Sequence, residues 1–348
     1  SAPSEAESAG PEESSEPEPE IVTITVTAAG DCALGTNQKH TYTNSFDEVY
    51  DKKGVDFFFD NVRDIFVNDD FSIVNLECSL TNSTDLQTTY YNYRYGGTYA
   101  KKWNHKGKPE YIGVLSGSSI EALTLGNNHN KDYGQEGFDE TVELTEDAGI
   151  VWACEDVLGR YEVKGIKIGF VSVNARYDGQ KRAEKFLKAG IETLREDCDL
   201  VLACVHWGND YWYSITDEQK SIGRHCIDWG ADMVIGNHPH VVQGIQLYKG
   251  KYICYALGNF SYGCNKNPKD YDCMIVQQTF TFVDGVLEED ADFTVIPCRI
   301  SSVDSKNNYQ PTPATGEKAE AIFKKINDSS SQFGLAFDEN GKPYTIEN

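Results

Sequence analysis

The chain has 348 residues, of which 39% are hydrophobic and 12% aromatic, so it can bury a large core and is not disordered as a whole. Its formal net charge is −24 at pH 7, which disfavours nucleic acid as a partner. No apolar run reaches the ~18 residues that a membrane-spanning helix needs.

The first twenty residues differ from the rest of the chain in composition. They contain only Ser, Ala, Pro, Gly and Glu, with seven Glu and no basic residue. Such a segment buries too little surface to offset the entropy lost on ordering, so we predict a disordered acidic linker over residues 1–20. The linker is either a solvated tail without a special role or a spacer to a membrane anchor. The second interpretation predicts an extracytoplasmic protein, held at the membrane through an N-terminal lipid or helix outside this sequence.

The first half of the chain alternates predicted strands with predicted helices. Runs rich in apolar and β-branched residues predict strands over 21–29, 71–75, 122–125, 150–153 and 168–173. Helical periodicity predicts helices over 55–67, 109–116, 135–148 and 183–197. Residues 81–108 form an insertion rich in Tyr, Asn and Gly, which we expect to line one wall of a cleft.

The second half becomes mainly antiparallel. We predict strands over 200–205, 233–235, 241–247, 252–257, 272–282 and 293–300. We predict helices over 217–229 and 317–326, and a final hairpin that turns at Asn340-Gly341. The resulting division is a domain over 21–303, followed by a C-terminal linker, helix and hairpin over 304–348 that pack on the same domain.

Several predicted strands end in residues that bind divalent metals. These residues are Asp31, Asn75 with Glu77, Asn128 with His129, His206, and His238 with His240. Ligands of α/β folds bind beyond the carboxyl ends of the strands, so we expect these side chains to converge. Carboxylate, amide and imidazole groups suit a pair of divalent ions such as Mn, Fe or Zn, and the pattern therefore predicts a metal site.

The strand-end motifs differ in how strongly they indicate a metal. Asp31 taken alone is more typical of a turn-capping residue, and His206 also fits a buried histidine bonded to backbone. The strongest motif is His238-Pro239-His240, because residues two apart on an extended chain share one face and the intervening Pro holds them there.

The segment around His129 is the second specific motif. The amide oxygen of Asn128 is a possible metal ligand, His129 is suited to protonate a leaving group, and Asp132 is suited to orient its imidazole. The alternative is that these residues form an ordinary turn and have no metal-binding or catalytic role. The remaining histidines, which we predict to lie on the surface, are His40, His105 and His225.

The ten cysteines show no metal-binding spacing. Several of them, such as Cys204 and Cys254, lie in apolar runs, where a free thiol behaves as a small hydrophobic group. Disulfides are the alternative, with Cys264 and Cys273 as the nearest plausible pair.

Taken in order, the strand-end motifs resemble those of a known family. They are Gly30-Asp31-x-x-Leu34-Gly35, Asn75-Leu76-Glu77, Asn127-Asn128-His129-x-x-Asp132-x-Gly134, His206-Trp207-Gly208, Gly236-Asn237-His238-Pro239-His240 with Gln243, and Leu257-Gly258-Asn259-Phe260. They are similar to the CapA-type poly-γ-glutamate capsule synthesis proteins (PGA_cap) of the calcineurin-like metallophosphatase superfamily, over about residues 23 to 300. The resemblance implies an α/β fold, namely a four-layer α/β/β/α sandwich of two mixed sheets with a dinuclear metal centre.

The resemblance also implies a role for each site residue. One metal ion would be held by Asp31 and His240. The other would be held by Asn128, His206 and His238. Glu77 would bridge the two ions. His129 would be the acid–base group near the leaving group.

The first metal site departs from the superfamily pattern. The first motif of the superfamily is Asp-x-His, and here Ala33 stands in the third position. Cys32 is a poor substitute because adjacent residues of a strand face opposite ways. The site is therefore expected to be weak, vacant or completed by water.

Two functions are compatible with these residues. The first is an extracytoplasmic capsule synthesis protein that acts as a metal-dependent hydrolase on a phosphoester or a γ-glutamyl amide. The second is a non-catalytic surface protein that binds or guides an anionic polymer during capsule assembly or export. The expected partners are an anionic polymer or phosphoester substrate and a membrane capsule-synthesis complex.

Overall fold

The computed structural model describes residues 18–37 and 42–346. Residues 1–17 of the predicted acidic linker and His40 lie outside the described residues. The strands are β1 (Ile21–Ala33), β2 (Thr36–Asn37), β3 (Phe71–Leu76), β4 (Ser79–Leu80), β5 (Thr89–Asn92), β6 (Gly97–Ala100), β7 (His105–Gly107), β8 (Ala122–Thr124), β9 (Val151–Ala153), β10 (Gly159–Val163), β11 (Ile166–Asn174), β12 (Leu200–His206), β13 (Met233–Asn237), β14 (Ile245–Tyr248), β15 (Lys251–Cys254), β16 (Asn259–Tyr262), β17 (Asp272–Val283), β18 (Val286–Arg299), β19 (Thr312–Pro313), β20 (Leu335–Phe337) and β21 (Pro343–Thr345). The helices are α1 (Phe46–Lys53), α2 (Arg63–Val67), α3 (Ile112–Ser116), α4 (Gly134–Asp147), α5 (Ala175–Leu194), α6 (Asp217–Asp228) and α7 (Glu317–Ser330).

The larger sheet is built around β1. Its strand order is β19-β18-β17-β1-β3-β8-β9, and β16 also pairs with β1. The strands β1, β3, β8 and β9 are parallel, whereas β17 and β18 continue the sheet antiparallel. The run of β-branched residues at the start of β1 favours this extended conformation, because branched side chains pack well on a pleated surface.

The second sheet has the order β10-β11-β12-β13-β15-β14. Its central strands β11, β12, β13 and β15 are parallel. All seven residues of β12 are buried, which explains why this strand is apolar throughout rather than alternating. Both sheets therefore direct parallel strands toward a common edge, where the strand-end residues lie.

Hydrophobic residues fill the spaces between the layers. One cluster lies between the sheets and includes Val26 and Ile73 of the first sheet with Leu202 of the second. Two other clusters pack the helices on the outer faces: one includes Leu123 and Phe46, and the other includes Val201 and Leu187. The predicted four-layer α/β/β/α sandwich of two mixed sheets is confirmed over the described residues. Helix α7 adds Ile322, Phe323 and Ile326 to the core between the sheets.

The structure contains elements that the sequence pattern did not predict. Helix α1 was missed, although Ser45 caps it by accepting a hydrogen bond from the backbone N–H of Glu48. Helix α5 begins at Ala175 rather than at residue 183, because Asn174 caps an extra turn before a kink at Gly179, where φ is 72°. No helix in the described residues is long and apolar enough to cross a membrane.

The cysteines and the end of β1 show how tightly the interior is packed. All ten cysteines lie in the described part of the chain and are free and buried, so Cys264 and Cys273 are not joined.

A Cβ atom at Gly30 would lie 1.9 Å from the carbonyl oxygen of Gly258. Only glycine therefore permits the approach that brings Asp31 to the sheet edge, where its N–H donates to the same carbonyl at 3.0 Å.

A half-buried carboxyl group at the opposite end of the larger sheet is expected to make the stability of the fold depend on pH. Glu121 accepts a hydrogen bond from the backbone N–H of Ser72 at 2.7 Å. Burial raises the pKa of Glu121 to about 7, with a smaller contribution from the charge of Asp69 and against the lowering effect of the Ser72 hydrogen bond. Because the folded-state pKa lies above the unfolded value, the stability associated with this group is complete at low pH and is lost as pH rises through about 7.

We predict that Glu121→Gln raises the melting temperature at pH 8 and changes it little at pH 5, because Gln keeps an acceptor oxygen without the buried charge. Thermal unfolding followed by circular dichroism at both pH values measures this difference. The matched control is Glu143→Gln, at an exposed position of α4, which should show no pH-dependent change. A Glu121→Gln effect that is the same at both pH values would contradict the prediction.

Candidate metal centre

The predicted metal ligands meet where the two sheets present their carboxyl ends. The parallel register places Asp31 of β1 beside Asn75 of β3, and His206 of β12 beside Asn237 of β13. The residues that the structure brings together at this edge are Asp31, Glu77, Asn128, His206, His238 and His240. Five of these side chains are buried, and together they form the metal centre considered below.

His206 lies at the middle of the centre. Its Nε2 is 2.6 Å from Oδ1 of Asn128 and 3.5 Å from Oε1 of Glu77. Asn75 links this imidazole to the larger sheet, because its Nδ2 donates to Oδ1 of Asp31 at 2.8 Å and lies 3.4 Å from Nδ1 of His206. Asn75 thus orients two potential ligands on different sheets.

His240 closes the other side of the centre. Its Nδ1 is 3.5 Å from Oδ2 of Asp31 and 3.9 Å from Oε2 of Glu77. These three residues form one group whose potential ligand atoms lie within 4.8 Å of one another, and Glu77, His206 and His238 form a second. Glu77 is common to both groups, which is the position that a bridging carboxylate requires.

The chemistry of the buried atoms fits divalent cations. Among the described residues, neither carboxylate oxygen of Glu77 and neither ring nitrogen of His238 has a hydrogen-bond partner. A buried polar group without a partner costs free energy, and a cation would satisfy both side chains at once. The surrounding imidazole, carboxylate and amide donors are those that Mn, Fe and Zn accept.

The electrostatics of the centre keep the imidazoles of the second group neutral. Burial lowers the pKa of His206 to about 3 and lowers the pKa of His238 well below its usual value. Their ring nitrogens therefore retain the lone pairs that a metal ligand needs at neutral pH. Burial raises the pKa of Glu77 well above its usual value, which shows how poorly this carboxylate is compensated by the protein alone.

The backbone at the His-Pro-His motif differs from the prediction. The expectation of an extended chain is wrong, because φ is 98° at His238 and 57° at His240. The two rings nevertheless face the same centre, with centroids 5.6 Å apart, and the N–H of His238 donates to Asp31 at 3.2 Å. Left-handed backbone at non-glycine residues is strained and clusters at functional sites, where surrounding contacts enforce it.

His129 approaches the centre from the side of α4. Its Nδ1 donates to Oδ2 of Asp132 at 2.7 Å, and its Nε2 is 4.0 Å from Oε1 of Glu77. Lys101 forms an ion pair with Asp132 and donates to the backbone carbonyl of Asn128 at 2.8 Å. Asp132 therefore holds one ring nitrogen, so the other points at the metal centre.

His105 was wrongly expected on the surface. It is buried, its ring stacks on that of His129 with centroids 3.6 Å apart, and its Nδ1 is 3.0 Å from the carbonyl oxygen of Glu77. The pairing of β7 with β2 and β4 carries it inward, and no local pattern in the sequence indicated that pairing. His225 is half-exposed on α6 and contacts Glu184, away from the centre.

Asp210 is a potential ligand that the sequence reasoning missed. Its Oδ1 is 3.9 Å from Nε2 of His238 and 3.8 Å from Nε2 of His240. Burial raises the pKa of Asp210, but His238, His240 and Arg176 together lower it more, and the net pKa falls below the usual value. Its place four residues after His206, in the loop that follows a strand end, was the available signal.

Ala33 supplies no ligand atom at the position where the resemblance predicts a histidine. It is fully buried and pairs with Tyr262 of β16, and the ring of Tyr262 lies beside that of His240, with centroids 5.2 Å apart. The first metal position therefore depends on Asp31, Glu77 and His240, with Asp210 nearby.

Comparison with known proteins finds relatives of this chain among bacterial capsule synthesis proteins. The family model described as bacterial capsule synthesis protein PGA_cap matches residues 25–263. A PGA biosynthesis protein CapA of Bacillus subtilis is 28% identical over 233 residues, which cover 62% of this chain and 59% of the relative. A capsule biosynthesis protein CapA of Bacillus anthracis is 25% identical over 259 residues, which cover 68% of this chain and 59% of the relative. This chain thus spans about 59% of the length of these relatives.

A solved structure of a 5′-nucleotidase from Candida albicans aligns with this chain with a TM-score of 0.44 and 12% sequence identity. The alignment covers 90% of this chain and 59% of the nucleotidase chain.

We predict that His238→Ala and His240→Ala each weaken metal binding by more than about tenfold, because each removes an imidazole that converges on Glu77. Titration with Mn²⁺, together with elemental analysis of the reconstituted protein, measures the loss. The control is His225→Ala, which removes an imidazole outside the centre. Wild-type protein that takes up no Mn, Fe or Zn after reconstitution would refute the metal centre as a whole.

Proposed function

The chain belongs to the bacterial capsule synthesis protein PGA_cap family, and from this premise we propose that it is a metal-dependent hydrolase in capsule polymer metabolism. The resemblance predicted from the sequence is thereby confirmed. The observation that carries the proposal is the convergence of His129 on the same point as the unpartnered carboxylate of Glu77 and imidazole of His238. A centre that only binds metal would not need His129, an additional imidazole that Asp132 holds in place.

The residues would hold two cations in different ways. Glu77, His206, His238 and the amide of Asn128 would hold one, and Asp31, Glu77 and His240 the other. Bound divalent cations would supply a water of lowered pKa and would stabilise negative charge on the attacked group. The protein contributes a buried, pre-arranged donor set, so little reorganisation is needed when charge develops.

The proton-transfer step is assigned to His129. Burial lowers its pKa, and the nearby Lys101 ammonium lowers it further, so the imidazole is neutral at rest. Asp132 accepts the Nδ1 hydrogen bond, which leaves Nε2 free to take a proton and deliver it to the leaving group. Stacking of His105 on the ring restricts its rotation and favours this orientation.

The substrate of this step is either a phosphoester or a γ-glutamyl amide. Support for the amide comes from the names of the relatives, which are biosynthesis proteins of PGA and of capsule. A two-cation centre suits both bonds, because each reaction passes through an oxyanion that cations stabilise. Release of phosphate or of glutamate from matched substrates distinguishes the two bonds directly.

A non-catalytic role is the second candidate, and Ala33 favours it. Without a side-chain ligand at this position, the first cation has fewer protein donors than the second. A centre that holds one cation firmly could bind or guide an anionic polymer without cleaving it. Turnover that is absent from the metal-loaded protein with both kinds of substrate would select this role.

The place of action is a further part of the same proposal. We propose that the protein works outside the cytoplasm, held near the membrane by a lipid or helix that precedes the acidic segment. Its working partners would be the polymer itself and a membrane capsule-synthesis complex. Support for the spacer comes from the composition of residues 1–20, which carry seven Glu and no basic residue.

We predict that His129→Ala lowers hydrolysis by at least about 10²-fold while the protein keeps its metal, because the variant loses proton transfer and not a ligand. Turnover and metal content are measured on the same preparation. His225→Ala serves again as the matched control and should retain both. Unchanged turnover in His129→Ala would remove this residue from the mechanism.

A further inference from the structure

A cavity of about 550 Å³ opens directly onto the metal centre. Its inner end is formed by His129, Asp210 and His240. Its walls combine polar and aromatic side chains, with Trp103 and Tyr211 among the lining residues. The cavity therefore offers a substrate access to the centre, and its volume can hold groups beyond the reacting bond.

Two lysines stand at the mouth of this cavity. Lys266 and Lys269 lie on the loop between β16 and β17, and both line the cavity with exposed side chains. The ammonium of Lys269 lies 4.8 Å from the ring centroid of Tyr211, and that of Lys266 lies 5.5 Å from the ring centroid of Tyr42. Aromatic faces attract ammonium groups, so both charges are held at the mouth rather than spread into solvent.

The charge of these lysines is not neutralised within the described part of the chain. Neither ammonium forms an ion pair with a described carboxylate, whereas Lys249, Lys325 and Lys342 each bind an aspartate. The mouth thus carries two ammonium groups on a chain that is acidic as a whole, and local charge governs binding at distances within the ~10 Å Debye length.

We propose that Lys266 and Lys269 form a subsite for an anionic group of the substrate that lies outside the reacting bond. The proposal rests on the proposed function, because it places that group relative to the metal centre. The ligand class is a chain with repeated negative charges, carboxylate or phosphate, threaded from the mouth past Tyr211 to His129 and His240. The subsite explains how a protein of net charge −24 binds a polyanion: long-range repulsion is overcome locally by ammonium groups at the mouth.

The experiment measures binding rather than turnover. Isothermal titration of the Mn²⁺-loaded protein uses a γ-linked glutamate trimer, a glycerol phosphate trimer and, as the uncharged reference, a γ-linked glutamine trimer. The Lys266→Ala/Lys269→Ala variant should bind the anionic trimers about 3- to 30-fold more weakly, as expected for two exposed charge contacts. The difference between variant and wild type should shrink at high salt, and binding of the glutamine trimer should not change.

The matched control is Lys188→Ala/Lys324→Ala, which changes the net charge equally at exposed positions away from the cavity. If both double variants lose the same affinity, or if the wild type binds neither anionic trimer, the subsite is overturned. If only the Lys266→Ala/Lys269→Ala variant loses affinity, and for only one of the anionic trimers, that trimer identifies carboxylate or phosphate as the group that the subsite binds. Metal content is recorded for every sample, so a failed metal centre, which would refute the proposed function, is distinguished from a failed subsite.

Discussion

Glu77 is a carboxylate buried where the two sheets meet, and within the described residues no hydrogen-bond donor satisfies it. The rest of the site is arranged around this uncompensated group: His206 approaches it at 3.5 Å, His240 at 3.9 Å and His129 at 4.0 Å. Burying such a group is costly unless a cation accompanies it. The fold buries this unsatisfied carboxylate where the two sheets meet, and we expect the function at that edge.

Contacts from neighbouring side chains hold the site residues in place. Asn75 connects Asp31 to His206, Asp132 holds His129, and the ion pair from Lys101 links Asp132 to the insertion over 81–108. These supporting contacts are made by buried side chains, whose rotamers are restricted by packing. The proposed subsite lies further out, at a mouth with exposed charges, so that in our proposal chemistry and recognition use different parts of one cavity.

Much of the site was predictable because its residues stand at the ends of apolar strands. Asp31, His206 and His238 each follow such a strand, and parallel strands in two packed sheets must bring their carboxyl ends to one edge. The backbone at His238 and His240 was not predictable, because its left-handed conformation is imposed by Asp31 and neighbouring loops rather than by local propensity.

By itself, the sequence determined the α/β fold class and the residue types at the strand ends, since both follow from hydrophobic periodicity and the order of the elements. The four-layer arrangement was implied by the resemblance of the strand-end motifs to a known family. The tertiary structure alone decided that His105 is buried against His129, that Asp210 turns toward His238, and that two lysines face the cavity. Each of these placements depends on contacts between segments far apart in the chain. Local pattern carries no information about such contacts, because their energy is realised only when the sheets have packed.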